Sequence, residues 1–470
     1  MSDRIRNIFT IFTVALAMFM TNLDTSIVNI ALPTFTKIFH TDSSEVSRIV
    51  LTYLLAMVSL LLVFGRLSDM FGVERIFTLG YVVFTLASAL CAASTSLETL
   101  MVFRFVQGIG GAMLLSTGGA VLIRYLPSDI RGRAFGFITV FGGVGMAIGA
   151  PIGGLLISSL SWQWIFLINL PVGVIAIVLI RFMLNRKPEC NKTASRFDHA
   201  GAVLSFIGMF SLLLLLNHGQ DFGWLSWQSI LLFVLSLGCL GLFFISEKRC
   251  SSPLVQIETL RNRHLAWGFV STVSVTMVLI GFNFLFPFFF DFVRHLDPGK
   301  TGLLLMTFPI VTILVSPISG YLCDRGSPRT VSIVSMMLAL AAVALFTAFG
   351  AGTSYYYIIM SFLIFGIGLA LFYTANTALI MSHATQDKAG MFASLLSTVS
   401  YIGAALGINL FEMVFSYGFP ASSTAAMDTL SQDLLLRSYL NASVFGVIIT
   451  VFGLITVIIS REKSSSTQNN

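Results

Sequence analysis

Charge is what this sequence has least of. Of its 470 residues only 10% are Asp, Glu, Lys or Arg, against about 25% in soluble globular chains. Too little polar surface remains for a folded chain to stand in water, which excludes soluble enzymes, secreted scaffolds and coiled coils. Cysteine is scarce, with five in all. Cys91 and Cys239 fall inside apolar runs, while Cys190, Cys250 and Cys323 sit in or beside basic loops, so no disulfide is expected. The six histidines (40, 199, 218, 264, 295 and 383) lie in loops or at the ends of apolar runs, which leaves no buried histidine relay. No HExxH and no Cys/His cluster points to a metal, and no cofactor is implied. The stretch Asp297-Pro-Gly-Lys-Thr-Gly302 imitates a phosphate loop, but Arg294 stands where that loop requires glycine, so no ATPase module is present.

What the chain has instead is apolar length. Hydrophobic residues make up 56% and the mean hydropathy is +0.90. The apolar stretches are continuous runs near 20 residues, the length that crosses a bilayer as a helix, not the alternating ten-residue strands of an outer-membrane barrel. Fourteen such spans can be drawn, from 8–33 to 439–460. Met1 to Arg6 followed by an apolar run imitates a signal peptide. No small-residue cleavage site follows, and the run continues through Asp24 to Pro33, so it reads as an uncleaved first span.

An even number of spans puts both ends on one side, and charge bias selects that side. Segments on the side of the termini hold 21 Lys and Arg; the opposite loops hold five, and Arg104 is intramembrane. By the positive-inside rule both termini are cytoplasmic. The net charge of +6 is this loop bias and does not call for nucleic acid.

Self-similarity sets the expected architecture. Gly65-Arg-Leu-Ser-Asp69, closing span 2, recurs 255 residues on as Gly320-Tyr-Leu-Cys-Asp324, closing span 10. Arg75 opens span 3 as Arg329 opens span 11. Asp129 and Gly132, Gly108-Ile-Gly110, and Gly145-x-x-x-Gly149 each recur 258 residues later, at Asp387 and Gly390, Gly366-Ile-Gly368, and Gly403-x-x-x-Gly407. The same loop motif on the same side makes the repeat parallel. The expected fold is therefore an all-α polytopic membrane protein. It has an N-terminal six-helix bundle (1–182), cytoplasmic linkers with an inserted two-helix hairpin (183–265), a C-terminal six-helix bundle (266–460) and a disordered tail (461–470). Two halves facing one another across a cleft can open alternately to each side.

Intramembrane charges are costly and mark function by default. Three are clear: Asp24 in span 1, Arg104 in span 4 and Glu412 in span 13. At 1.5 Å per residue Asp24 lies roughly 13 Å, and Arg104 roughly 8 Å, below the outer ends of their spans. Asp24 and Arg104 are expected to face each other across the first half, with Glu412 reaching the cleft from the second. A carboxylate in a low-dielectric cleft can carry a proton, and a nearby Arg tunes its proton affinity. The plainer alternative is a fixed ion pair holding helices together, and for Glu412 a side chain snorkelling to the interface. The loop Gly65-x-x-x-Asp69-x-x-Gly72-x-x-Arg75 is expected to reverse the chain on glycine, with Asp69 pairing with Arg124, Arg131 or Arg133 as a latch. Asp324 and Arg329 carry the second copy. In span 5, Gly145, Gly149, Gly153 and Gly154 allow close helix approach, and Pro151 a kink.

These segments resemble a known family. Leu23-Asp24-Thr25-Ser26-Ile27-Val28-Asn29-Ile30-Ala31-Leu32-Pro33 is similar to the span-1 signature of the fourteen-helix drug:proton antiporters, a branch of the major facilitator superfamily. Gly65 to Arg75 resembles that superfamily's loop between spans 2 and 3. Arg104-x-x-Gln107-Gly108-x-Gly110-Gly111 is similar to its span-4 motif, associated with proton coupling. Gly145 to Gly154 resembles the antiporter motif of span 5, and Trp162-x-Trp164-Ile-Phe166-x-x-Asn169-x-Pro171-x-Gly173 the start of span 6. Three positions depart from the pattern. Proline falls at 151 after Ala150, Asp291 stands where the branch often has Gln, and span 10 offers no acid.

The resemblance implies a multi-pass protein of the cytoplasmic membrane, not an enzyme. It would export amphipathic, often cationic compounds in exchange for protons, with the bilayer as its other partner and an accessory periplasmic subunit left open. In that scheme Asp24 binds proton and substrate charge in turn, Arg104 tunes it, and Glu412 is a second acidic contact. The alternative on the same fold is a dedicated exporter of a single metabolite, lipid or siderophore.

Overall fold

The computed structural model describes residues 3–183, 199–249, 263–382, 389–417, 419 and 430–460, and among these the regular structure is all helical. Among the described residues fourteen helical spans are long and apolar enough to cross a membrane. The chain forms two compact units, 1–256 and 257–470.

The first unit opens with α1 (Asp3–Phe39), which runs on through Pro33 where a stop was expected. The lost N–H is tolerable inside a membrane helix, and the extra turn is held by Trp162, whose ring meets Phe35 and Phe39 at 5.4 and 6.2 Å. Helix α2 (Ser43–Phe71) starts at Asp42, which accepts the Glu45 amide at 2.9 Å. Helix α2 continues six residues past Gly65, so the expected loop contracts to Gly72 alone. Its φ of 98° is a conformation only glycine adopts without strain. Then come α3 (Val73–Ala92) and α4 (Leu97–Tyr125), the latter begun by a Ser96–Thr99 capping box, and α5 (Ser128–Ser159), continuous through Pro151. The sixth span is two pieces, α6 (Trp164–Leu167) and α7 (Asn169–Met183). Helices α8 (His199–Phe222) and α9 (Trp227–Arg249) turn on Gly223 at φ 81°, and α8 packs on α2 and α9.

The second unit begins with α10 (Arg263–Phe288), which passes into a π-helical turn over Phe289–Val293 after Pro287. The tenth span is broken into α11 (Pro298–Leu305) and α12 (Thr307–Arg325), because Pro309 has no N–H to return to Leu305. Serine caps start α13 (Pro328–Phe346), α14 (Tyr355–Met381) and α16 (Gln432–Ile459); α15 (Ala389–Ser416) lies between the last two. Packing repeats across the units, each taken by itself. Helix α1 packs on α5 and α7 as α10 packs on α15 and α16, and α4 sits on α2 and α3 as α14 sits on α12 and α13.

Candidate functional site

Five elements of the first unit converge on one carboxylate. Asp24 on α1 and Arg104 on α4 are fully enclosed, with Arg104 Nη1 2.6 Å from Asp24 Oδ2. The same Nη1 donates to Gln107 Oε1 at 2.6 Å, and Arg104 Nε donates to the Ile49 carbonyl of α2 at 3.3 Å. Gln107 lies three residues after Arg104, on the same helix face. Its Nε2 donates to Asp24 Oδ1 and to Ser88 Oγ of α3, both at 2.8 Å. From α7, Asn169 Nδ2 donates to Asp24 Oδ1 at 3.1 Å. The guanidinium carbon lies 4.3 Å from the Tyr53 ring centre and 5.9 Å from that of Phe166, a cation–π setting strengthened by desolvation. Cys91 Sγ approaches Gln107 Oε1 at 3.8 Å.

A buried ion pair persists only when its remaining hydrogen-bond capacity is met. Asp24 meets it with one donor on Oδ2 and two on Oδ1. Arg104 Nη2 and Asn169 Oδ1 make no hydrogen bond among the described residues. Chemically the cluster sets one permanent cation and two neutral amides around a single carboxylate, that of Asp24. Protonating it removes the ionic bond and leaves Arg104 to Gln107, Ile49 and the aromatic rings.

Asp24 is closed in by groups of its own unit: three donors from two helices occupy its oxygens. Gln107 and Asn169, present in the quoted motifs without a role, complete the site; the readable signal was an amide amid apolar neighbours. Glu412, on α15, is buried at 5% exposure.

The loop motif differs from expectation. Gly65 lies within α2, and the reversal is at Gly72. The side chains of Asp69 and Asp129 lie outside the described residues, as does Asp387. Of the expected partners of Asp69, Arg124 pairs with Glu74 of α3 at 3.1 Å, where Tyr125 also donates to Glu74 at 2.9 Å, and Arg131 Nε bonds the Leu126 carbonyl at 2.9 Å. Arg75 and Asp324 are exposed, and Arg329 Nη2 donates to the Ile458 carbonyl at 2.6 Å.

The glycines of α5 face α1, the helix that carries Asp24. A β-carbon at Gly145 would stand 2.5 Å from the Phe19 carbonyl, at Gly149 2.6 Å from Ser26, and at Gly153 2.6 Å from Ile27. Ser26 Oγ donates across this seam to the Met146 carbonyl at 3.0 Å. Gly154 and Pro151 are buried. The stripe seats α1 so closely that Asp24, on its other side, turns toward α4.

Comparison with known proteins places this geometry in a family. The family model described as Major Facilitator Superfamily matches residues 14–408. The riboflavin transporter RibZ of Clostridioides difficile is 29% identical over 450 residues, covering 93% of this chain and 96% of that one. The putative multidrug resistance protein MdtD of Klebsiella pneumoniae is 30% identical over 467 residues, covering 97% and 98%. The multidrug resistance protein Stp of Mycobacterium tuberculosis is 29% identical over 435 residues, covering 92% and 80%. In fold the chain is similar to a bacterial homologue of the human lysosomal transporter Spinster, with a TM-score of 0.67 at 15% identity over 98% of this chain and 99% of that one. It is also similar to the peptide transporter POT, with a TM-score of 0.66 at 14% identity over 95% and 94%. With fourteen apolar helices, a repeated six-helix packing and relatives named as multidrug resistance proteins, the chain is a multi-pass membrane transporter, not an enzyme, and it belongs to the Major Facilitator Superfamily.

Proposed function

We propose that this transporter exports amphipathic, often cationic small molecules in exchange for protons, and that Asp24 is the proton-binding group. One observation carries the reading: a carboxylate with no solvent exposure, bonded from α4 and α7 through Arg104, Gln107 and Asn169. Burying an ion pair costs several kcal/mol per ion before attraction repays it, and a merely structural joint needs no such pair. Proton uptake at Asp24 breaks the ionic joint between α1 and α4 while Arg104 keeps its other partners. Release restores it. Substrate charge and proton then compete for one carboxylate state, which is the requirement for exchange. Glu412 acts as a second acidic contact, and the Gly72 turn with Gly65, Asp69 and Arg75, repeated at Asp324 and Arg329, gates one face.

The reading retains two six-helix bundles, 1–182 and 266–460, around an inserted segment, 183–265, with a tail at 461–470. The 21-to-5 loop bias in Lys and Arg supports a cytoplasmic-membrane protein with both termini in the cytoplasm. A second reading, one dedicated substrate, is favoured by the similarity to a protein named as a riboflavin transporter.

The deciding experiment is efflux from proteoliposomes under an imposed pH gradient. Asp24→Asn keeps the shape and both amide bonds but cannot titrate; Arg104 keeps Gln107, the Ile49 carbonyl and the aromatic rings, and the variant, purified as a monodisperse protein, should lose proton-driven export. Undiminished export by that variant removes Asp24 from the mechanism. A panel of chemically unrelated amphipaths, with riboflavin included, separates broad from dedicated transport.

A further inference from the structure

The two units can be brought into register by their glycine contacts. A β-carbon at Gly108 would strike the Tyr53 carbonyl and one at Gly366 the Phe308 carbonyl; Gly110 faces Phe84 as Gly368 faces Ala339. Gly145 and Gly149 face Phe19 and Leu23 as Gly403 and Gly407 face Val273 and Met277. These contacts set α2 and α3 255 residues before α12 and α13, and α1 254 residues before α10, a register that also lays Asn29 and Pro33 on Asn283 and Pro287. Six residues of the charged site on α1 to α4 then have counterparts, and each counterpart is apolar. Val278 stands for Asp24, Phe362 for Arg104, Phe365 for Gln107, Phe308 for Tyr53, Phe346 for Cys91 and Val343 for Ser88. All six are buried. The rings interlock at centroid distances of 6.0 Å (Phe308–Phe362), 5.8 Å (Phe308–Phe365), 5.8 Å (Phe346–Phe362) and 5.4 Å (Phe346–Phe365).

Polar bonding between α10 and α14 has moved to the other half of the helices, near the face where α16 ends. Asn376, five residues before the end of α14, is 3% exposed. Its Nδ2 donates to the Gly268 carbonyl at 3.1 Å and to Thr272 Oγ1 at 2.8 Å, and Ser271 Oγ lies 3.3 Å from its Oδ1. One turn away Thr276 and Tyr373 share a hydroxyl contact at 3.3 Å. Every partner of Asn376 is neutral. Among the described residues, the charged groups on the helices packed against α14 (Arg263, Asp324, Arg325, Arg329 and Glu412) make no bond to it, nor do Tyr321, Tyr401 and the tyrosines of α14 itself.

We propose that Asn376 is the fixed pin of the second unit, a positioning residue that keeps α10 clamped to α14 through the transport cycle while the ionic joint of α1 and α4 opens. The proposal rests on the reading of Asp24 as the proton site. A carboxamide gains and loses no proton in the working range, and its donors and acceptor are satisfied within the clamp. Proton uptake therefore has a joint to release in the first unit and none at this point in the second.

The test is a reversible staple, in the full-length transporter with its five cysteines replaced by alanine. Thr272→Cys with Asn376→Cys ties α10 to α14 at the pin; Val14→Cys with Gly118→Cys ties α1 to α4, since a β-carbon at Gly118 lies 3.2 Å from Val14. Oxidation of the first pair should leave at least about half of the reduced efflux rate, whereas oxidation of the second should cut it about tenfold, with recovery on reduction, because that joint has to move. Efflux that stops on closing the 272–376 staple and returns with reductant overturns the fixed pin. Where that pair does not give a monodisperse protein, Thr276→Cys with Tyr373→Cys staples the same joint and is judged by the same outcome. Proton flux with Asp24→Asn is measured alongside: its persistence defeats the Asp24 reading, and a silencing α10–α14 staple defeats the pin.

Discussion

Asp24 and Arg104 are each other's largest compensation, and the amides around them set how much each variant should lose. Removing only the cation leaves a fully buried carboxylate with two amide donors. Breaking one partner of such a pair costs about 3–5 kcal/mol, so Arg104→Ala should lower the thermal midpoint in detergent sharply. Neutralising the acid as well removes the stranded charge, and the double variant Asp24→Asn, Arg104→Ala should recover most of that loss while still failing to export. A double variant as unstable as Arg104→Ala would mean that packing around the guanidinium, over Tyr53 and Phe166, matters more than charge. Gln107→Ala and Asn169→Ala each delete a donor to Asp24 Oδ1, a bond to a charged group worth about 1.5–3 kcal/mol. Gln107 should be the costlier, since it also accepts from Arg104 and donates to Ser88.

At the scale of helices, the α1–α5 seam shows what was legible in the sequence and what was not. The fourteen spans, the parallel repeat and the small-residue stripe of α5 follow from hydropathy and spacing, because a membrane helix must carry its apolar length and its close contacts in its own sequence. The partner of that stripe, α1, depends on contacts 120 residues apart, such as Ser26 with Met146, and periodicity does not report these. The same limit hid the role of Gln107, the Glu74–Arg124 pair and Asn376, and it kept the 254-residue register of α1 on α10 out of view behind the 258-residue glycine matches. Local breaks mislead for another reason: Pro33 reads as a stop and Gly65 as a turn, yet each lies within a continuous membrane helix. The seam makes its own prediction. Gly145→Ala puts a methyl 2.5 Å from the Phe19 carbonyl, a backbone atom that cannot step aside, and should cost about 1–3 kcal/mol. Gly136→Ala, on the same helix with nothing within 4 Å, should be neutral or stabilising by up to about 1 kcal/mol. Thermal midpoints of the two variants measured side by side check this, and equal losses would place the α1–α5 contact elsewhere.

At the scale of the whole molecule, exchange is a statement about linkage. If proton and substrate compete through one carboxylate state, each must weaken the other's binding by the same factor. Binding of a lipophilic monovalent cation such as tetraphenylphosphonium to the purified transporter should therefore weaken as pH falls, by about fivefold or more across the acid's titration, the lower end of ordinary coupling energies. Binding should release protons into a weakly buffered solution in the matching amount. Asp24→Asn should flatten the pH dependence and abolish the proton release together, since both come from one group. The five tryptophans give an intrinsic fluorescence signal for the first measurement and a pH dye serves the second. The two readouts divide the possibilities without reference to substrate breadth. A pH-dependent affinity that survives in Asp24→Asn would assign the coupling to another acid, Glu412 being the buried candidate of the second unit. A flat affinity in the unmodified transporter would leave the Asp24–Arg104 pair as a structural joint, and the second unit's neutral pin would then be its counterpart in packing alone.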